Sequence, residues 1–320
     1  MIGPTLIQTD SSSAEPLVRL SHEAMACTFE VWIDGQDRPQ AHHAAEAAFD
    51  EADRIEQEIS RFVEQSDVSL LNRGHSGETV RVGIEAFECL KLALRVQHET
   101  HGAFDVTCSV DSVAGAAATG CPPPAIRLDE EDHTVTILRD DVRIDLGGIG
   151  KGYALDKMAE ILSEWGVARG LVHAGQSTVL AIAAPGNDPA WSVSLRHPTA
   201  PETGLANPDD TEGQVCHCSV SSVGWIAIDR RALSGSGQLI HGTHIIDPRT
   251  GQPVSGPLAA WALAPSAAEA DALSTALMVM TLPEVETYFA DHPEVAGLLA
   301  MPPAEKPRLL NFGTKLRPAP

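Results

Sequence analysis

The sequence is poor in positive charge and contains no long apolar run. Its 22 Lys and Arg residues stand against 44 Asp and Glu residues, which gives a formal net charge of −22. Such an excess of acid argues against a protein that binds nucleic acid or an anionic membrane surface. The longest apolar runs, such as Leu258–Ala264, are far shorter than the roughly 20 residues of a membrane-spanning helix. We therefore expect no membrane insertion.

Residues 1–20 also lack the features of an export signal. They have neither a positively charged start nor an apolar stretch of sufficient length, and they contain no cysteine that could be lipidated. The sequence therefore predicts a cytoplasmic protein. This leader is Ser-rich and is expected to be mobile.

Cysteine and aromatic residues are scarce as well. Aromatic residues make up 4% of the chain, so the core must be built mainly from Ala, Val, Leu and Ile. The 6 cysteines are spread through the sequence, which indicates reduced thiols and not a disulfide framework. The Cys216-His217-Cys218 triplet is too tightly spaced for a Cys-x-x-Cys zinc knuckle, and no second pair follows it. We expect no metal at that triplet.

The composition is that of a globular protein, with 43% hydrophobic and 21% charged residues. After the 1–20 leader we expect a single domain over residues 21–320. An exposed insertion is predicted near residues 186–214, where Pro, Gly, Asn and Asp are dense and where Trp191–Leu195 alone has the pattern of a strand.

Hydrophobic periodicity predicts the main elements. The predicted helices are 40–62, with a buried stripe ending in Ile59 and Phe62, then 84–100, 153–165 and 267–280. The predicted strands are 26–34, a hairpin of 134–138 with 142–146, and 215–220, 225–228 and 260–264. Because strands form hairpins and helices come in separate blocks, the pattern favours an α+β fold.

A glycine-rich turn at Asp145–Gly152 joins a predicted strand to a helix. Free backbone N–H groups at the start of a helix form a positive end where an anion can bind, and phosphate is its usual occupant. Lys151 favours this interpretation, because a lysine at a helix start opposes the dipole unless an anion is near. A plain tight turn remains the alternative, since the glycines match neither GxGxxG nor GxxxxGK[ST].

Asp271 and Thr275 are four residues apart on a predicted helix, so both project from one face about one turn apart. Their oxygens would make part of a Mg²⁺ shell. On spacing alone, a capping Asp with a buried Thr is the favoured interpretation.

Two further motifs carry single polar residues of interest. His244 precedes the turn sequence Asp247-Pro248-Arg249-Thr250-Gly251, and it is the one group there that can exchange a proton near neutral pH. Asp105, in Gly102-Ala-Phe-Asp-Val-Thr107, follows a helix stop and would act either as a cap or as a ligand group.

Together these motifs resemble one family. In chain order, the segments are MACTFEV, ISRF, GAFDVT, RIDLGGIGKGYALD, HIIDPRTG and DALSTAL. Their residues and their order, over roughly residues 25–280, are similar to those of the ApbE family of flavin transferases. The resemblance implies an α+β fold of mixed or antiparallel sheets flanked by helices in two closely packed lobes. It also implies that the protein binds FAD and Mg²⁺, with Mn²⁺ as the alternative metal, and moves FMN onto a Ser or Thr of a partner protein with release of AMP.

Carried over by position, the resemblance assigns roles to individual residues. It implies that the flavin and the rest of FAD contact Met25, Phe62, Ala103, Phe104, Asp105, Asp145, Lys151 and His244. It implies that Gly148, through its carbonyl, and the side chains of Asp271 and Thr275 bind Mg²⁺. His244 would deprotonate the acceptor hydroxyl, and Lys151 would assist at the pyrophosphate.

The chain departs from the family pattern at Gly175-Gln176-Ser177, where the family usually has Gly-Gly-Asp. The loss of this acid keeps two alternatives open. One is an FAD pyrophosphatase that uses water as the acceptor and yields FMN and AMP. The other is a non-catalytic flavin-binding protein.

Overall fold

The strands and helices alternate in blocks along the chain. The computed structural model describes the backbone of residues 4–8 and residues 17–107, 124–186, 188–197, 222–237, 245–304 and 306–317. Its helices are α1 (Arg38–Ile59), α2 (Asp67–Arg73), α3 (Ile84–Glu99), α4 (Gly150–Glu164), α5 (Ala267–Val279) and α6 (Leu282–Asp291). Its strands are β1 (Pro4–Gln8), β2 (Val18–Ala24), β3 (Cys27–Asp34), β4 (Thr79–Arg81), β5 (Ile126–Asp129), β6 (Thr134–Ile137), β7 (Arg169–Ala174), β8 (Thr178–Ala183), β9 (Trp191–Arg196), β10 (Ser222–Ile228), β11 (Ala232–Gly237), β12 (Ile246–Asp247), β13 (Gln252–Pro253), β14 (Ala259–Ala264), β15 (Ala296–Met301), β16 (Arg308–Phe312) and β17 (Leu316–Arg317).

An eight-stranded sheet forms the centre of the molecule, in the order β16-β15-β14-β11-β8-β7-β3-β2, and every pairing in it is antiparallel. A four-stranded sheet, β1-β9-β10-β17, covers one face of it. Helices α1, α4 and α5 pack on the opposite face. A three-stranded sheet, β4-β6-β5, and the small β12-β13 pair lie apart from both. The α+β prediction is confirmed.

Two cores result from this layering, one on each face of the eight-stranded sheet. The core on the helical side takes Phe29, Val31 and Ile33 of β3, and all three are fully buried. These are the residues whose alternation predicts the strand. Trp32, which points to the other face, packs between the two sheets instead of facing solvent.

Most of the predicted elements are confirmed within the described residues. The helices appear as α1, α3, α4 and α5, and the strands as β3, β6, β9, β10 and β14. The prediction that Phe62 ends the buried stripe of α1 is wrong, because the helix ends at Ile59 and the Phe62 side chain is 83% exposed. Trp165, at the end of the α4 stripe, is exposed as well.

The predicted hairpin of 134–138 with 142–146 is wrong. Strand β6 pairs with β4 and β5, and residues 142–146 belong to no strand. The side chain of Asn72 bonds both backbone groups of Ile144: its Nδ2 donates to the carbonyl oxygen at 2.9 Å, and its Oδ1 accepts from the N–H at 2.6 Å. At Ile144 one distant side chain therefore takes the place of a strand partner, which periodicity along the sequence cannot reveal.

Parts of the predicted leader and insertion take part in sheets. Strand β1 pairs with β9, and β2 begins at Val18. Residues 9–16 and 198–214, the predicted strand 215–220 and the Cys216-His217-Cys218 triplet lie outside the described residues. The division into a leader and a single domain stays a prediction.

None of the helices in the described ranges has the length and apolar character needed to cross a bilayer.

Candidate functional site

The glycine-rich turn leads into helix α4, and side chains of the turn itself form hydrogen bonds to its backbone. Asp145 Oδ1 accepts the N–H of Gly147 at 2.9 Å, which holds the turn in shape. The Asp145 N–H donates to the carbonyl of Val106 at 2.7 Å, so the turn is tied to the segment that contains Asp105. Lys151 Nζ reaches back over the turn and donates to the Gly147 carbonyl at 3.1 Å. The turn therefore presents an ammonium group beside a helix N-terminus.

Three separate motifs meet at Gly148. A Cβ placed on this glycine would lie 3.3 Å from Cε2 of Phe104 and 3.5 Å from Oγ1 of Thr275. The backbone of the turn is thus enclosed by the Phe104 ring on one side and by α5 on the other. An alanine at 148 would bring its Cβ close to the Phe104 ring, and the ring would have to move by a few tenths of an ångström.

Asp271 on α5 carries a buried carboxylate, with 5% of the residue exposed. Its Oδ1 accepts from the hydroxyls of Thr178 at 3.3 Å and Ser234 at 3.2 Å, and its Oδ2 accepts the N–H of Gly152 at 3.3 Å. These donors come from β8, β11 and α4, so the carboxylate lies where the sheet and two helices converge. Its neighbours supply hydrogen bonds, as a buried carboxylate requires.

A group of hydroxyls continues from Asp271 along the sheet; we call it the hydroxyl cluster. Its members are Thr178, Ser234, Ser236, Ser274 and Thr275. Thr178 and Ser234 are directly paired across β8 and β11, with their hydroxyl oxygens 2.9 Å apart. Ser236 lies 2.8 Å from the hydroxyl of Ser274 and 3.3 Å from that of Thr275. The cluster therefore places oxygen atoms around both predicted metal-binding side chains.

Met25 lies in the two-residue turn between β2 and β3. Both turn residues are left-handed, with φ of 48° at Met25 and 56° at Ala26, as a type I′ hairpin requires. Such angles are unfavourable for residues other than Gly, Asn and Asp. The Met25 N–H donates to Glu56 Oε2 of α1 at 2.8 Å, and this bond holds the turn against the helix layer.

Cys27, the first residue of β3, has a thiol whose pKa is shifted by its surroundings. Burial raises the pKa of the Cys27 thiol to about 11, the positive charge of Lys151 opposes that shift, and the charges of Glu23, Asp271 and Glu56 add to it. The thiol stays protonated at neutral pH.

Phe62 follows α1 and is the most exposed of the large apolar side chains in the described residues. The Arg61 guanidinium lies over its ring, 4.5 Å from the centroid. Arg61 Nε also forms an ion pair with Asp145 Oδ2 at 3.1 Å. An exposed aromatic ring is thereby attached to the glycine-rich turn, as a surface on which a flat ligand could stack.

Ala103 and Phe104 are buried beside this turn. Asp105 is half-buried, and its Oδ1 accepts from the N–H of Thr107 at 2.8 Å and from the Thr107 hydroxyl at 2.7 Å. Asp105 thus acts as a local cap within the described residues.

His244 lies outside the described residues, so its position relative to the site stays a prediction. The turn that follows it is well defined: Asp247 accepts from Arg249, which also pairs with Glu284 of α6 at 2.7 Å.

At Gly175-Gln176-Ser177, where the chain departs from the family pattern, the Gln176 side-chain oxygen accepts from the fully buried Arg196.

The sequence analysis missed several residues of the site. Arg61, Glu56, Thr178 and Ser234 contact predicted site residues, and none of the four was singled out. For Thr178 and Ser234 a signal exists, because each is a hydroxyl residue within an otherwise apolar or small-residue strand, at a position that alternation assigns to the core.

The oxygen atoms at Gly148, Asp271 and Thr275 fit a hard cation such as Mg²⁺. The set combines one carboxylate, one hydroxyl and one backbone carbonyl, and Mg²⁺ is typically held by one or two carboxylates together with water and substrate phosphates. Within the described ranges, no three His, Cys, Asp or Glu side chains form a group that could hold a metal by themselves.

Comparison with known proteins gives a consistent result. A sequence model described as the ApbE family matches residues 25–299. An FAD:protein FMN transferase of Klebsiella pneumoniae (strain 342) is 27% identical over 300 residues, which cover 85% of this chain and 81% of that relative. The FAD:protein FMN transferase of Escherichia coli (strain K12) is 25% identical over 294 residues, with the same 85% and 81% coverage.

Solved structures share the fold. The crystal structure of the ApbE protein from Thermotoga maritima has a TM-score of 0.75 and 25% identity, covering 93% of this chain and 97% of that chain. The flavin transferase ApbE from Vibrio cholerae has a TM-score of 0.72 at 20% identity, with coverage of 93% and 98%. At that identity, the second likeness shows the fold alone.

Proposed function

The chain belongs to the ApbE family, and on this basis we propose that it is a Mg²⁺-dependent FAD:protein FMN transferase. In the proposed reaction, a Ser or Thr hydroxyl of a partner protein attacks the phosphorus of the FMN half of FAD. A phosphoester bond forms, the pyrophosphate P–O bond to the AMP phosphate breaks, and AMP leaves with the electron pair. The proton of the acceptor hydroxyl passes to a base.

The meeting of three motifs at Gly148 is the observation that carries the proposal. Phe104, the glycine-rich turn and Thr275 are far apart in the sequence, yet the aromatic ring and the hydroxyl both lie within 3.5 Å of the position that a Cβ on Gly148 would take. A flavin nucleotide has an aromatic ring system joined to a charged pyrophosphate. A site that places an aromatic wall beside N–H groups, an ammonium and cation-binding oxygens matches both parts of that molecule.

At the pyrophosphate, Lys151 is the residue that moves to the substrate. Its ammonium donates to the Gly147 carbonyl and remains half-exposed, so it can turn to a phosphate oxygen without being extracted from the core. Asp271, Thr275 and the Gly148 carbonyl would hold Mg²⁺, which supplies positive charge for the phosphate oxygens. Phosphoryl transfer depends mostly on such positioning and charge neutralisation.

At the flavin end, Met25, Phe62, Ala103, Phe104 and Asp105 would surround the ring system. Support comes from the exposed Phe62 ring, which Arg61 connects to Asp145, and from the Met25 turn, which Glu56 holds in a left-handed conformation. Strained turns of this kind are common at ligand sites. We assign the proton transfer from the acceptor to His244, on the family resemblance.

The test is to incubate the purified protein with FAD and Mg²⁺, with and without a flavin-accepting domain, and to measure AMP together with covalent fluorescent flavin. Covalent flavin on the acceptor, absent with EDTA and absent when the acceptor Ser or Thr is replaced by Ala, is the expected result. AMP formed at the same rate without an acceptor would instead identify an FAD pyrophosphatase. FAD binding with neither product would leave a non-catalytic flavin-binding protein.

A further inference from the structure

Asp156 ends the GKGYALD stretch and has no role in the function proposed above. It lies on α4, and its carboxylate reaches across to the start of α5. Asp156 Oδ1 accepts the N–H of Ala267 at 2.7 Å, and Oδ2 accepts the N–H of Ala268 at 2.9 Å. These are the first two residues of α5, whose N–H groups have no partner within their own helix. Burial raises the pKa of Asp156 to about 6, although both N–H groups favour its charged form.

The helices α4 and α5 are in unusually close contact at this end. A Cβ on Gly152 of α4 would overlap the carbonyl oxygen of Ala267, so the two backbones touch. One turn further along α5, the N–H of the same Gly152 donates to Asp271. Asp156 and Gly152 therefore fix the start of α5 relative to the helix that carries Lys151.

Asp156 is not required simply to terminate α5. Ser266 already caps the helix locally, since its hydroxyl accepts the N–H of Glu269 at 3.2 Å. The two caps differ in what they connect. Ser266 stabilises the first turn of its own helix, whereas Asp156 joins that turn to α4.

We infer that Asp156 is a positioning residue for the cation-binding oxygens of α5. Asp271 and Thr275 lie four and eight residues after Ala267, which is about one and two helical turns. A helix moves as a unit, so a displacement of its first turn displaces both side chains relative to Gly148 and Lys151. The inference rests on the proposed function for the identity of the metal and its ligands.

The experiment compares Mg²⁺ binding by wild type, Asp156→Ala, Asp156→Asn and the matched control Ser266→Ala. Mg²⁺ alone is titrated into the full-length protein by calorimetry, at a temperature where circular dichroism shows every variant to be folded. We expect Asp156→Ala to weaken Mg²⁺ binding about 10-fold or more, as loss of a supporting residue does at other metal sites. Asp156→Asn, which keeps one acceptor oxygen, should lie between it and wild type. Ser266→Ala should bind Mg²⁺ as wild type does.

A second measurement separates positioning from simple loss of stability. Flavin transfer by Asp156→Ala should return to nearly the wild-type kcat when Mg²⁺ is raised in proportion to its weaker binding. Unchanged Mg²⁺ affinity in Asp156→Ala, an equal loss in Ser266→Ala, or no Mg²⁺ binding by wild type would each overturn the inference. If wild type binds Mg²⁺ but transfers no flavin, the proposed function fails, while the affinity difference still tests the role of Asp156.

Discussion

The two faces of the eight-stranded sheet share the same strands but differ in chemistry. The face toward the four-stranded sheet packs apolar residues against one another, including the fully buried Trp191 and Trp261. The face toward the helices is apolar over most of its area, but near α5 it contains Asp271 and the hydroxyl cluster. Alternation along each strand allows both, because neighbouring residues point to opposite faces.

The difference separates what stabilises the fold from what serves the site. An apolar side chain between the sheets contributes stability in proportion to the area that it buries. A carboxylate and hydroxyls in a core contribute little net stability, and each costs about 1–3 kcal/mol if its hydrogen bonds are lost. Asp271 and its donors are therefore better explained by ligand binding than by folding, and mutations on the two faces should have opposite consequences.

The largest expected effect is on activity, from Asp271→Asn. Flavin transfer should fall by about 1,000-fold, the scale of losing a major electrostatic contribution to catalysis. The free energy of unfolding should fall by no more than about 1–3 kcal/mol, because the amide retains an acceptor for Thr178 and Ser234 and loses only the acceptor for the Gly152 N–H. Transfer assays and urea unfolding of the same preparation measure both quantities. Retained Mg²⁺-dependent transfer would contradict the metal-binding role of Asp271.

The reverse result is expected on the other face, from Trp191→Ala. Loss of this fully buried ring should lower the free energy of unfolding by about 3–5 kcal/mol. At a temperature where the variant is folded, its Mg²⁺ affinity should equal that of wild type. A large change in affinity would show that the two faces are energetically coupled and that the comparison fails.

A smaller effect is expected from the hydroxyls themselves. The double variant Thr178→Val with Ser234→Ala removes both donors to Asp271 Oδ1 and should weaken Mg²⁺ binding about 10-fold, without abolishing transfer at high Mg²⁺. Ser194→Ala is the matched control, since Ser194 is equally buried and bonds another serine, Ser222, in the four-stranded sheet. Calorimetric titration with Mg²⁺ distinguishes them, and equal affinities would disprove a role for the hydroxyls.

The last prediction concerns how the stability of the helical face depends on pH. Asp156 has a folded pKa of about 6, raised by burial above its ordinary 3.8, so between these values the folded protein holds a proton that the unfolded chain has released. The contribution of Asp156 to the free energy of unfolding therefore falls as pH rises from about 4 to 6, by at most about 1.4 kcal/mol per pH unit.

Urea unfolding of wild type and Asp156→Asn across pH 4.5–7.5 measures this contribution as a difference. The difference should change between pH 4.5 and 6 and remain constant above pH 7. A constant difference over the whole range would show that the folded pKa of Asp156 is not raised.

Elements with a single clear period were predictable from the sequence. The apolar side chains of β3 repeat at steps of two, and those of α1 and α3 repeat at steps of three and four along one buried face. Helix α5 was predictable from its apolar composition instead, because it is buried on nearly all sides. The segment 142–146 has the same alternation as a strand and yet forms none, because its central residue, Ile144, bonds the side chain of Asn72 and the Asp145 N–H bonds the Val106 carbonyl. Phe62 continued the period of α1 beyond the residue where the helix ends.

The candidate site was likewise only partly predictable from the sequence. The sequence motifs predicted that Asp145, Gly148, Lys151, Asp271 and Thr275 are site residues. The contacts at Gly148 and Gly152 bring the glycine-rich turn and α5 together. Other residues that the structure connects to the site are ordinary helix or turn residues in the sequence: Arg61, which pairs with Asp145, Glu56, which holds Met25, and Asp156, which holds the start of α5. Nothing in their spacing distinguishes them from a solvated face or a local cap.

The sequence by itself determined the α+β class, the apolar faces and the residue types that could hold an anion and a hard cation, because these follow from local periodicity and side-chain chemistry. Only the tertiary structure decided that Phe104, Gly148 and Thr275 are neighbours, that Asp271 accepts from two strands and a helix, and that Asp156 joins α4 to α5. The reason is that such contacts connect residues about 40 to 130 positions apart, and their geometry is set by the packing of whole helices on the sheet and not by any local pattern.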